Sequence, residues 1–205
     1  MQHTDASEQR RGPDLRARRR RQTKLEIHLA AVTLAAERGA DQVTVDDIAA
    51  GAGVSARTFF RYFATRDSAL VYDRWGFSNA LEEVFARMDP HKVRMRDVEQ
   101  AFGSVLATLD EDPNVGTSVR MYETITSSPQ LMAVATAATN AQTDGLLATI
   151  PATERSRIRL LLAVASAVLF TTFTEWIESG SPTGVSNAPS ALSCYRRLCA
   201  ELKTL

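Results

Sequence analysis

Two cysteines, three histidines and seven prolines in 205 residues leave little material for several kinds of chemistry. Cys194 and Cys199 cannot build a disulfide framework, and five residues apart on a helix they point to different faces. His3, His28 and His91 are isolated from each other and from the cysteines, which argues against a metal site. There is no glycine-rich phosphate loop, nucleophile elbow or paired-histidine motif, and Gly103 and Gly145 stand alone. Carboxylates fall mostly on helix faces, where solvation or i, i+4 pairing accounts for them. Neither an enzyme nor a cofactor is expected. Long apolar runs are scarce too. The longest, residues 160–174, is interrupted by Ser166, Thr171 and Thr172 and falls short of the roughly 20 residues that span a bilayer. No apolar run follows the charged start, so no secretory signal is read there. These features point to a cytoplasmic protein that does not enter a membrane.

What is present is an ordinary globular composition, 44% hydrophobic and 23% charged, in a 22.5 kDa chain. The formal net charge is zero, from 24 basic and 24 acidic residues, but the signs are unevenly placed. Residues 1–66 hold 12 basic against 8 acidic residues, and residues 67–205 hold 12 against 16. Eight of the basic residues lie within 10–24, including Arg18, Arg19, Arg20 and Arg21, against the single acid Asp14. Such a split suggests that one end meets a polyanion.

The periodicity is helical from end to end, and the expected fold class is all-α. Residues 1–14, polar and carrying Gly12-Pro13, read as a disordered tail. From about Arg21 the spacing of Leu25, His28, Ala31, Val32 and Ala35 is that of an amphipathic helix, with Gly39 placed to close it. Thr44 precedes a short helix as a capping-box residue, with Asp47 three positions on. Gly53 makes a turn, Ser55 caps a second short helix, and Thr65 can cap a third that continues through Leu70 and Trp75 to about Met88. Further helices are expected near 94–110, 115–127, 130–148, 153–178 and 189–203, punctuated by prolines and glycines.

Two short helices around a glycine turn, the second mixing basic and aromatic residues, follow the helix-turn-helix plan. The run Thr44-Val45-Asp46-Asp47-Ile48-Ala49, followed by Ala52-Gly53-Val54-Ser55-Ala56-Arg57-Thr58-Phe59-Phe60-Arg61-Tyr62-Phe63-Ala64-Thr65-Arg66-Asp67, closely resembles the N-terminal signature of the TetR family of bacterial transcriptional regulators. The resemblance covers about residues 24–70. It implies a homodimeric repressor that binds double-stranded DNA and is released from a palindromic operator by a small molecule. It also implies three parts: a flexible basic arm over 1–20, a helix-turn-helix domain over 21–66, and an effector-binding and dimerisation domain over 67–205. By position, Thr44 and its helix start lie against phosphate. Ser55, Ala56, Arg57 and Thr58 open the recognition helix, with Phe60, Arg61, Tyr62 and Arg66 further along the DNA face. Arg57 stands where the family often has glycine and can be bidentate to guanine. Phe60 replaces a usual tyrosine and keeps only apolar contact. Phe59 and Phe63 read as core.

The helix over 153–178 is apolar almost all round, which requires core on one face and a partner on another. With Leu161, Val164 and Val168 on it, and Leu192, Tyr195, Leu198, Cys199 and Leu202 on the last helix, a four-helix dimer interface is expected. A two-fold dimer then spaces its recognition helices about 34 Å apart or a multiple of that. Candidate pocket residues are Trp75, Phe85, Phe102, Met121, Tyr122, Met132, Asn140, Phe173 and Trp176, suited to a hydrophobic or amphipathic effector. No cluster of basic residues in these helices matches a strongly anionic ligand, although Arg120 beside Met121 leaves an acid or thioester open. The alternatives are a constitutive or architectural DNA binder without a ligand, and a helical enzyme or interaction scaffold.

Overall fold

The computed structural model describes residues 8–109, 111–180 and 188–204, with side chains from residue 15 onward except Ser118. Among the described residues the chain is helical and contains no strand, as the periodicity predicts. It divides into two compact units, the first ending at Arg74 and the second beginning at Trp75.

The first unit contains α1 (Glu8–Arg38), α2 (Val45–Gly51), α3 (Ala56–Tyr62) and α4 (Arg66–Leu70), with a 3-10 turn at Ala40–Gln42. Gly39, at φ +87°, closes α1 with its N–H on the Ala35 carbonyl at 2.9 Å. Ile27, Ala31, Val32 and Ala35 of α1 are buried, as are Val43, Ile48, Ala49, Phe59, Phe63, Ala69 and Leu70. Lys24 sits over the rings of Phe63 and Tyr72, at 5.7 and 5.3 Å from their centroids. The unit continues past residue 66 because Ala69 and Leu70 of α4 are buried and α4 packs on α1.

His28 is the buried polar group of this core. Its Nδ1 donates to the Ala69 carbonyl at 2.8 Å, and its ring meets Tyr72 edge to face. A carbonyl only accepts, so Nδ1 carries a proton. Burial, which disfavours the charged form, pushes its pKa down to about 4 despite that hydrogen bond.

The second unit contains α5 (Phe77–Arg87), α6 (Met95–Leu106), α7 (Val115–Ser127), α8 (Pro129–Ala148), α9 (Ala152–Glu178) and α10 (Ala191–Leu202), with a 3-10 turn at Pro90–Lys92. One core gathers Phe77, Phe102, Leu106, Phe173, Trp176 and Tyr195. A second gathers Val93, Leu147, Ile150, Ile158 and Leu162. Arg157 of α9 ties the 3-10 turn down, donating to the carbonyls of Val93 at 2.8 Å and Pro90 at 2.5 Å. Glu154 joins it, 2.7 Å from Arg157 and 3.0 Å from His91. The Arg157 hydrogen bond is the main reason the Glu154 carboxyl lies below its usual range.

Three expectations need correction. The arginines assigned to a flexible arm lie on α1, whose helix already begins at Glu8. Residues 14–24 are rich in Arg, Leu, Ala, Gln and Lys, all strong helix formers, and this carries the helix back past Gly12-Pro13; the tail ahead of it, 1–7, lies outside the described residues. The helix expected from Thr65 to Met88 is broken at 71–76, where Gly76 takes φ +84° to start α5. Helix α9 is also long and apolar enough to cross a membrane. The threonine hydroxyls that interrupt its apolar run bond back to helix carbonyls, Thr171 to Ala167 at 3.0 Å and Thr172 to Val168 at 2.7 Å. Ile158, Leu162, Ala165, Phe173 and Trp176 bury one face of α9, as expected of a core helix.

The His28 shift fixes a pH dependence. The folded pKa lies below the ordinary 6.5, so between about pH 6.5 and 4 the unfolded chain binds the extra proton. Stability is full above that window and falls as the pH drops through it, by up to about 3 kcal/mol. Denaturant unfolding followed by circular dichroism at pH 7 and pH 5 should show this decline in the parent chain and a smaller one in His28→Gln. Equal declines would exclude His28 as the cause.

Candidate nucleic-acid interface and effector unit

Helix α2 is only seven residues long, so its ends matter more than its length. Thr44 and Asp47 form the expected capping box: the Asp47 N–H donates to Thr44 Oγ1 at 3.1 Å, and the Thr44 N–H donates to Asp47 Oδ2 at 3.0 Å. The Thr44 hydroxyl, which also donates to Asp47 Oδ2, and the Thr44 N–H, with Arg38 3.5 Å away, hold the Asp47 carboxyl below its usual range. The Val54 N–H reaches the Ala49 carbonyl at 2.9 Å across a turn in which Gly53 takes φ +66°. Ser55 then caps α3 by accepting from the Thr58 N–H at 3.1 Å.

Helix α3 is oriented by its aromatic residues. Phe59 is fully buried and Phe63, just past the helix end, is nearly so, as expected of core residues. Their burial turns Arg57, Phe60 and Arg61 outward together on one face. Phe60 is 58% exposed, a large apolar ring facing solvent between two arginines. Arg61 lies over the Tyr62 ring at 5.0 Å and leaves guanidinium and phenol side by side. Thr44 and Ser55 are exposed at their helix starts, while Ala56, Thr58 and Tyr62 are half-buried. Arg18, Arg19, Arg20 and Arg21 are exposed on α1. Arg66 is used internally: its Nη1 donates to the Val43 carbonyl at 3.3 Å and its Nε meets Asp67 at 2.7 Å. It braces the start of α4 against the strand of chain entering α2.

In the second unit, five candidate pocket residues converge. Trp75 stacks on Phe173 with centroids 5.3 Å apart, and Tyr122 and Trp176 lie 6.0 and 6.1 Å from the same ring. Phe102 joins through Phe77 at 5.3 Å. The Tyr122 hydroxyl is 2.6 Å from Thr174 Oγ1, and burial raises its pKa. The Trp176 indole N–H is buried without a partner among the described residues. Phe85 belongs to the other core; Met121 is buried, Met132 half-buried and Asn140 exposed. Of the residues expected between protomers, Tyr195 and Cys199 are buried in their own unit, and Leu161, Val168 and Leu192 pack against the same core. Val164, Leu198 and Leu202 are half-buried. Sequence reasoning missed the uncovered stripe of α9, one step round the helix, where Leu160 is 67% and Phe170 49% exposed with Ala163 and Ala167 between them. Its i, i+3, i+7, i+10 spacing was legible, but only the burial of the opposite face identifies it as the outer one.

Residues 27–70 match the family described as bacterial regulatory proteins, tetR family. The chain is 34% identical over 119 residues to MftR of Mycobacterium tuberculosis (strain H37Rv), a transcriptional regulator whose name refers it to mycofactocin biosynthesis. That alignment takes in 57% of this chain and 58% of MftR, so the chain spans under two thirds of this relative. Among solved structures, Thermus thermophilus FadR, a TetR-family repressor in complex with lauroyl-CoA, is 17% identical at a TM-score of 0.47, over 88% of this chain and 93% of that one. A TetR-like regulator from Rhodococcus sp. RHA1 is 18% identical at 0.44, over 89% and 96%.

The two caps carry a direct test. Thr44→Ala and Ser55→Ala should each lower stability by about 1 kcal/mol, measured as the shift of a urea unfolding midpoint. An unmoved midpoint would mean that the cap in question does not form.

Proposed function

We propose that this chain, a member of the TetR family of bacterial regulatory proteins, acts as a homodimeric repressor that a small hydrophobic effector releases from a palindromic operator. The observation that carries the reading is the α3 face. Two buried phenylalanines hold Arg57, Phe60 and Arg61 outward within the segment that matches the family. In the major groove Arg57 is bidentate to a guanine and Phe60 meets a thymine methyl group, with Thr58 beside them. Arg61, Tyr62, Thr44 and the start of α2 take phosphates. Arg18, Arg19, Arg20 and Arg21 neutralise phosphates from a helix rather than from a loose arm. Arg66 works as an internal brace.

The second copy covers the α9 stripe. Leu160 and Phe170, separated by Ala163 and Ala167, offer an apolar ridge with room for the same ridge of a two-fold mate. The aromatic cluster around Phe173, with the unpaired Trp176 N–H and the Tyr122 hydroxyl, is the site for the effector.

Footprinting on DNA upstream of the chain's own gene at two salt concentrations tests this reading: it expects a protected palindrome that survives moderate salt, and diffuse, salt-erased protection would overturn it. On that operator Arg57→Ala should lose about 1–3 kcal/mol of discrimination at one base pair of each half-site. Arg19→Ala should weaken all sequences alike and lower the salt slope by about one. The double change Leu160→Glu and Phe170→Glu should give monomers in sedimentation and abolish the palindromic footprint. A dimer that survives both charges would place the interface elsewhere.

A further inference from the structure

The outward face of α3 carries a phenyl ring at its centre, among groups that hydrogen-bond. Phe60 is 58% exposed, so it gains by being covered when α3 meets a partner. Its ring is held in one orientation. It meets the buried Phe59 ring edge to face, with centroids 5.5 Å apart and planes at 86°, and Phe59 packs in turn on Phe63 at 5.9 Å.

The two arginines beside it differ. Arg61 lies over the Tyr62 ring, and its Nη2 donates to the Tyr62 hydroxyl at 3.5 Å. Arg57 is exposed and makes no ion pair among the described residues, so its fork of donors is open. Arg57 and Phe60 are three residues apart, which makes them neighbours on the helix surface. They advance about 4.5 Å along the axis, against about 3.4 Å for one base pair, and so fall on adjacent base pairs.

In the major groove the C5 methyl of thymine is the apolar feature among donors and acceptors. A phenyl ring has neither donor nor acceptor, so the methyl is the group it gains from, and polar edges under it stay unpaired. The same methyl stands at C5 of 5-methylcytosine, whose amino group replaces thymine O4. A ring without polar atoms does not distinguish these two bases. Resting on the major-groove placement of α3 proposed above, we infer that its face reads a guanine next to a 5-methylpyrimidine, accepting 5-methylcytosine in place of thymine and rejecting unmethylated cytosine. Arg57 is bidentate to guanine O6 and N7, and Phe60 covers the neighbouring methyl. Methylation of a cytosine at that position therefore creates a binding site where there was none.

Selection of random duplexes on the full chain supplies the starting site and should enrich half-sites with guanine beside thymine. Four synthetic duplexes then differ at that thymine pair alone: thymine·adenine, uracil·adenine, 5-methylcytosine·guanine and cytosine·guanine. In fluorescence anisotropy titrations thymine should bind about fourfold tighter than uracil for each half-site, and 5-methylcytosine about fourfold tighter than cytosine, the order of one buried methyl group. Phe60→Ala, which leaves the core untouched, should bring both ratios close to one. Arg57→Ala should keep both ratios and lose the requirement for guanine. Equal binding of thymine and uracil, equal binding of the two cytosines, or unchanged ratios in Phe60→Ala would overturn the inference. A selected palindrome with no guanine beside thymine also overturns it and leaves the repressor reading standing. A library in which no sequence is enriched removes both.

Discussion

The surface proposed to face DNA depends on the burial of one ring. Phe59 has no exposure, and a seven-residue helix has too few contacts of its own to choose a rotation about its axis. Sinking Phe59 into the core, with Phe63 beside it, makes that choice. Arg57, Phe60 and Arg61 are presented because of where Phe59 goes, and the Ser55 cap fixes where the helix starts. The inner face also explains His28. The neutral imidazole satisfies the Ala69 carbonyl inside the same core, so that core is most stable while the ring is uncharged.

Features set by neighbours in sequence were the legible ones. The Thr44, Ser55 and Thr65 caps each need a partner three residues away, and all three form as read. The family signature was legible for the same reason, since its residues are contiguous. The all-α class followed from periodicity, and Phe59 and Phe63 could be assigned to the core from their four-residue spacing. The break at 71–76 was less legible, because Trp75 continues the apolar pattern while the backbone turns at Gly76.

Long-range features were hidden. No basic cluster is legible along the C-terminal helices, yet Arg96 of α6 lies across a groove from Arg196 of α10 and Lys203 just past its end, about a hundred positions later. The apolar stripe of α10 likewise mixed residues with different fates, since Tyr195 and Cys199 go inward while Leu198 and Leu202 stay half-covered. An all-round apolar helix such as α9 announces that it has two partners. Which face meets which is decided by the packing of α5, α6 and α10, and periodicity does not encode it.

The aromatic cluster of the second unit also has a spectroscopic consequence. The chain has two tryptophans, Trp75 and Trp176, and both lie in that unit, each against the ring of Phe173. The helix-turn-helix unit contains none. Excitation at the indole band therefore reports on one unit alone, from inside the cluster where the effector is proposed to sit. The fold supplies an intrinsic fluorophore there, so that unit can be followed in the unlabelled protein while the other remains dark.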